Sequence, residues 1–224
     1  MKLPEKPALL EKAAKYLESW YDTVGSLPSV SLEALDPEAT ALIVVDMVNG
    51  FAREGAMASP RVGSLISPIA ALAARCAEKG MEILAFADCH TPESLELEAY
   101  PPHCLRGTEE SRICRDILEA APSMTVIEKN STDGFLEPAF EAWRRDHEAI
   151  RTYLVVGDCT DICVQQFVLS AKAWHNARDM ALRLIIPVDL VDTFDADTHS
   201  ADVYNLTALM TMAAAGAELA AHID

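Results

Sequence analysis

Tyr153-Leu154-Val155-Val156-Gly157-Asp158-Cys159-Thr160-Asp161-Ile162-Cys163-Val164 is the stretch from which the fold can be read. Its opening run is apolar and rich in β-branched residues, the pattern of a strand buried on both faces. Gly157 permits a sharp turn, and Thr160 or Asp161 can cap a helix that begins near Ile162. Cys163 is thereby predicted in the first turn of a helix, at the carboxyl end of a parallel strand. Unpaired N–H groups and the positive end of a helix dipole favour a thiolate there, the form in which cysteine attacks. The plainer alternative is a small buried hydrophobe, the usual fate of a free cysteine.

Outward from this unit the same alternation recurs. Strands are predicted at 41–45, 82–87, 124–127, 152–156 and 181–186, with a last short one at 217–221. Helices are predicted at 64–79, 109–120, 137–147, 161–177 and 199–214. Strands separated by helices give a three-layer α/β/α sandwich around a mainly parallel sheet of about six strands, with right-handed crossovers. Ligands in such folds bind beyond the carboxyl ends of the strands.

Four chemically distinct side chains fall at that edge: Asp46, Asp88, Lys129 and Cys163. Singly, a strand-end Asp is more often a cap and a Lys more often a solvated charge. Four in register are harder to assign to turns alone. In the loop after the second strand, Asp88 and His90 are two apart on an extended segment and project to one side, with Cys89 pointing away. His103 follows the Pro101-Pro102 turn, with Glu96 and Glu98 between. Imidazole plus carboxylate suits Zn, Fe or Mn, and so few protein ligands leave positions open for water or substrate. By spacing alone this signal is weak, because His is common on polar loops.

Composition bounds the function. The 224 residues carry a formal charge of −17 and a pI near 4.6, which disfavours nucleic acid and anionic membrane surfaces as partners. No apolar run approaches the roughly 18–20 residues that span a bilayer, so a cytoplasmic protein is expected. Six cysteines, none in a Cys-x-x-Cys pair, do not form a disulfide framework and fit a reducing compartment. The first residues differ in character: Leu9, Leu10, Ala13, Ala14, Leu17, Trp20 and Tyr21 recur at helical spacing, predicting an amphipathic helix over 5–22 and a connector to about Ala39. Residues 1–40 are thus expected to be a helical extension that packs on the core or on a second subunit, ahead of a domain at 41–224.

Five motifs in this order resemble the isochorismatase-like cysteine hydrolases, and within them the nicotinamidases. They are Asp46-Met47-Val48-Asn49-Gly50-Phe51, Asp88-Cys89-His90, Tyr100 to Thr108, Glu128-Lys129, and Gly157 to Val164. The resemblance implies Cys163 as nucleophile, Asp46 as general base and Lys129 as the cation completing a triad. It implies one divalent transition metal, zinc first and iron or manganese as alternatives, on Asp88, His90 and His103, with Glu96 as a fourth carboxylate. It further implies a non-proline cis peptide between Asp158 and Cys159, and an oxyanion hole from the backbone N–H groups of Cys159 and Cys163.

The activity implied is hydrolysis of nicotinamide or a related aromatic carboxamide through a thioester, by a homo-oligomer. Phe51 is expected to wall the pocket, with Phe135 and Trp174 as further candidates. Val48 and Gly50 stand where many nicotinamidases have Gln and Asp, and Gly50 is read as removing a side chain from near the pocket. Two alternatives stay open. One is a related hydrolase of an N-carbamoyl, ureido or isochorismatase-type substrate, and the other a catalytically silent binding protein of the same fold.

Overall fold

The computed structural model describes residues 2–224. Six parallel strands form one sheet in the order β3-β2-β1-β4-β5-β6. They are β1 (Thr40–Val45), β2 (Glu82–Asp88), β3 (Thr125–Lys129), β4 (Thr152–Gly157), β5 (Arg183–Pro187) and β6 (Glu218–Ala220). The helices are α1 (Lys6–Gly25), α2 (Asn49–Ala52), α3 (Pro60–Ser64), α4 (Ile66–Glu78), α5 (Arg115–Ala120), α6 (Pro138–Asp146), α7 (Gln165–Asn176) and α8 (Ala201–Ala214). Every ladder of the sheet is parallel, so the expected sandwich is present, with no antiparallel strand among the described residues.

The two faces of the sheet bury different halves of the chain. Along β1, Leu42 and Val44 join a core with α3, α4 and α5, whereas Ala41, Ile43 and Val45 join a second core with α6, α7 and α8. Both alternating sets are apolar because a parallel strand here has no wet face; all six residues of β1 are buried. The second core is aromatic: Phe86, Phe140 and Phe167 pack with centroids 5.3 to 5.4 Å apart.

Strand order reverses between β1 and β4. The chain builds outward from β1 to β3, then returns to the other side of β1, so the ends of β1 and β4 define the switch point at which such sheets hold ligands. Val45 pairs with Gly157 there. A Cβ on Gly157 would lie 2.0 Å from the Val45 carbonyl oxygen, and its φ of +114° also calls for glycine.

Two predicted elements differ in extent. The helix expected over 109–120 forms only at Arg115–Ala120, because residues 110–114 pair instead with the segment after β1: Asn49 N–H donates to Arg112 O, Gly50 N–H to Glu110 O and Cys114 N–H to Met47 O. The predicted cap by Thr160 or Asp161 is also absent. Residues Thr160–Val164 form a π-helical turn, with Val164 N–H donating to Cys159 O at 3.1 Å, and α7 begins only at Gln165. Such single π turns concentrate at functional sites.

Helix α1 begins with Pro7 in its first turn and buries no residue fully. Its last turns lean on the second core through Trp20 and Val24, as does Leu27 just beyond its end. The connector then docks on the C-terminal segment, with Val30 bridging Ile223 and Leu32 fully buried. Among the described residues no helix is long and apolar enough to cross a membrane.

Candidate active site

β1 is followed at once by Asp46, whose φ of +52° is a left-handed conformation that Asp tolerates better than most residues. Backbone held in that region clusters at functional sites. The carboxylate is fully buried and lies 2.9 Å from Lys129 Nζ. Lys129, the last residue of β3, is itself 1% exposed, a rare fate for a lysine unless it is paired. Its ammonium also donates to Asp88 Oδ1 at 2.7 Å and Ser131 O at 3.0 Å, and sits 3.8 Å from Cys163 Sγ. Acid, ammonium and thiol therefore meet from three strand tips.

Burial governs the charge states. It works against the Lys129 cation, but Asp46, Cys163 and Asp88 outweigh it and hold the pKa well above the ordinary lysine value. Burial pushes Asp46 up to about 6 against the pull of Lys129, and the Cys163 thiol, donating toward it, also favours the ionised form. Cys163 is raised well above an ordinary thiol by burial, with Lys129 pulling the other way. The direction runs against the expectation from the helix dipole: burial favours the protonated thiol, and the Asp46 carboxylate lies beside the same ammonium as a proton acceptor.

Asp88 faces two ways. Burial opposes its charge, yet the Lys129 ammonium holds its pKa well below the usual carboxylate range. Its Oδ2 lies 2.8 Å from His90 Nε2 and 3.0 Å from His103 Nε2, with Glu96 Oε1 3.8 Å from His90 Nε2. One ligand atom from each of Asp88, His90, Glu96 and His103 falls within 4.8 Å of the others.

The outer ring nitrogens explain why this set fits a cation. His103 Nδ1 is 2.7 Å from the Pro101 carbonyl and His90 Nδ1 is 3.1 Å from Asn130 Oδ1, both acceptors. Assigning the protons to Nδ1 leaves each Nε2 with a lone pair aimed at the same carboxylate. Asp88 Oδ2 and His90 Nε2 are buried without a hydrogen-bond partner, as three acceptors converging on one point require.

The pocket above these groups is lined by Phe51, Met57, Asp88, Glu96, Tyr100, His103, Thr132, Cys159, Ile162 and Cys163. Phe51 stands where expected, its ring 5.5 Å from that of His103. Phe135 and Trp174 do not line it; Phe135 belongs to the aromatic core and packs against Trp174 at 6.2 Å. Gly50 is also corrected. A Cβ there would meet Cys104 Sγ at 2.6 Å, so its bareness lets the loop that carries His103 close on α2 and does not widen the pocket.

Sequence reasoning passed over Met57 and Thr132, which carry no charge or strand-end signal, and Asn130, which orients His90 and stands next to Lys129. It named Tyr100 and Asp158 within motifs without giving either side chain a role; Tyr100 lines the pocket, and burial raises the Asp158 carboxyl well above the usual range. The cis peptide falls between Asp158 and Cys159, as the resemblance implied.

The Isochorismatase domain model matches residues 40–221, all six strands and the whole of this site. This chain belongs to the isochorismatase family. Among curated isochorismatase-family relatives, the chain is 34% identical over 153 residues to Nicotinamidase 1 of Arabidopsis thaliana, a match that covers 62% of each protein. Of solved structures, N-carbamoylsarcosine amidase from Thermoplasma acidophilum superposes with a TM-score of 0.66 at 26% identity, covering 81% of this chain and 95% of that one. Pyrazinamidase of Pyrococcus horikoshii in complex with zinc gives 0.65 at 23%, covering 81% and 98%, which supports the fold.

Proposed function

We propose that this isochorismatase-family chain is a metal-containing cysteine amidohydrolase acting on nicotinamide or a related aromatic carboxamide. The observation that carries the reading is the Asp46, Lys129 and Cys163 cluster beside the Asp88, His90, Glu96 and His103 donor set. The similarity to a nicotinamidase and the zinc complex of a pyrazinamidase support it.

In this mechanism Asp46 accepts the Cys163 proton as sulfur attacks the carboxamide carbon, and Lys129 balances the charge that develops. The backbone N–H groups of Cys159 and Cys163 hold the oxyanion, each donor typically contributing about 3–4 kcal/mol. Asp46 returns the proton to the leaving ammonia, then deprotonates the water that hydrolyses the thioester. A divalent ion on Asp88, His90, Glu96 and His103, zinc first and iron or manganese next, would supply a Lewis-acid anchor for a ring nitrogen. Phe51 walls the ring. The acid product fits a role in NAD salvage, and we place the enzyme in the cytoplasm as a homo-oligomer, with residues 1–40 an extension to the 41–224 domain.

The similarity to N-carbamoylsarcosine amidase keeps an N-carbamoyl substrate as the second reading. Ammonia release from nicotinamide, pyrazinamide and N-carbamoylsarcosine under equal conditions decides between them. Turnover of the carbamoyl compound alone would overturn the first, and no turnover of any amide, with binding intact, would leave a silent binding protein.

A further inference from the structure

At the opposite edge of the sheet, where β4 begins, the C-terminal ends of α6 and α7 enclose a cavity of about 300 Å³. Tyr153 at the start of β4 lines it, and β4 ends at Gly157 on the side of Cys163, about 20 Å away for a six-residue strand. The cavity is therefore separate from the site described above.

Its wall holds an unusual cation. Arg144 lies 4.2 Å over the Trp174 ring and 4.7 Å over Phe135. Among the described residues it meets no carboxylate within 4.0 Å and donates no hydrogen bond, and its Nε is sealed from water without an acceptor. In a chain with 35 acidic and 18 basic residues, an arginine left without an acid stands out. Its neighbours are already engaged: Arg145 pairs with Glu141 at 3.8 Å, Arg151 donates to the carbonyls of Glu148 and Ile150, and Arg178 donates to Trp174 O. Cation–π stacking holds the plane of the guanidinium but leaves the N–H edge unused.

We propose that this cavity binds a small planar aromatic monocarboxylate, its carboxylate on the N–H edge of Arg144 and its ring against the aromatic wall. A fork of guanidinium donors matches a carboxylate in shape. The volume sits at the lower end of small-ligand sites, and Tyr153, Trp174, Ile150 and Met180 offer apolar cover for a ring. Arg144 is the one lining arginine that neither donates a hydrogen bond nor pairs with a carboxylate among the described residues, and Glu141 and Glu148 share the lining, so a phosphate dianion meets more repulsion than a monoanion. Burial also pushes the Arg144 guanidinium below its ordinary value, a cost that a bound anion relieves.

The test is titration of the full chain with benzoate, followed by tryptophan fluorescence, with inorganic phosphate as the second probe. Trp143 and Trp174 both lie at this cavity or stack beside it, so occupancy is expected to change emission saturably. Arg144→Gln is expected to weaken benzoate binding at least tenfold, with Cys163→Ala unchanged. Should Arg144→Gln not fold by circular dichroism, Met180→Glu, which puts a carboxylate on a residue 37% exposed at the rim, is expected to produce the same loss. Three results would each overturn the assignment: no saturable change in the wild type, equal affinity in the charge variants, or phosphate binding as tightly as benzoate.

Discussion

Asp88 and Lys129 are register partners at the carboxyl ends of β2 and β3, and their side chains meet as a buried ion pair at 2.7 Å. Because paired residues of a parallel sheet point to the same face, the strand register alone brings them together. The same ammonium reaches across β2 to Asp46, just beyond the end of β1. Lys129→Met strips the counter-charge from two buried carboxylates at once. Loss of one partner of a buried pair costs about 3–5 kcal/mol, so urea denaturation is expected to show a fall of that size or larger.

Asp46→Asn keeps the volume of the side chain but removes the base. Because burial favours the protonated Cys163 thiol, turnover of a carboxamide is expected to fall by roughly 10²- to 10⁴-fold. Ammonia release measures the loss, and an unchanged melting temperature separates it from misfolding. A normal rate would remove Asp46 from the mechanism.

The pH dependence follows from the same carboxyl. Asp46 is raised from an ordinary 3.8 to about 6, and only its ionised form accepts a proton. Activity is therefore lost as pH falls through about 6, where an unperturbed aspartate would hold it to about 4. A kcat/KM profile with its acid limb near 4 would contradict this assignment.

Metal removal has a structural readout as well as a catalytic one. With an ion bound, the convergent acceptors Asp88 Oδ2, His90 Nε2 and His103 Nε2 are satisfied; stripped by chelation, they face one another unpaired. A ligand that binds only the folded state adds RT ln(1 + [L]/Kd), about 2.7 kcal/mol at a hundredfold excess over Kd. Chelated protein is expected to melt at lower temperature and to recover with zinc, and elemental analysis to give one ion per chain. His103→Ala is expected to abolish both effects.

Gly157→Ala probes the turn that delivers the nucleophile. Both the positive φ and the 2.0 Å approach to the Val45 carbonyl forbid a side chain unless β1 and β4 separate. The variant is expected to lose about 2 kcal/mol or more, and chemical denaturation would show it.

The sequence by itself determined the succession of strands and helices, and with it which residues stand at the carboxyl edge. These are properties of local period and of turn chemistry: the apolar run 152–156, the glycine after it, and the acids and base that close β1, β2 and β3. The donor set Asp88, His90 and His103 was only weakly signalled by spacing and came from the family resemblance, because His103 stands fifteen residues beyond the end of β2. Charge state was not legible. The dipole argument for a Cys163 thiolate considered only the local helix, whereas desolvation by the elements packed around the sulfur pushes the other way. Nor could spacing show that Phe135 and Trp174 belong to the aromatic core, that Gly50 accommodates Cys104, or that Arg144 lacks an acid. Each depends on what lies across the fold from a residue, and only packing of the three layers sets that.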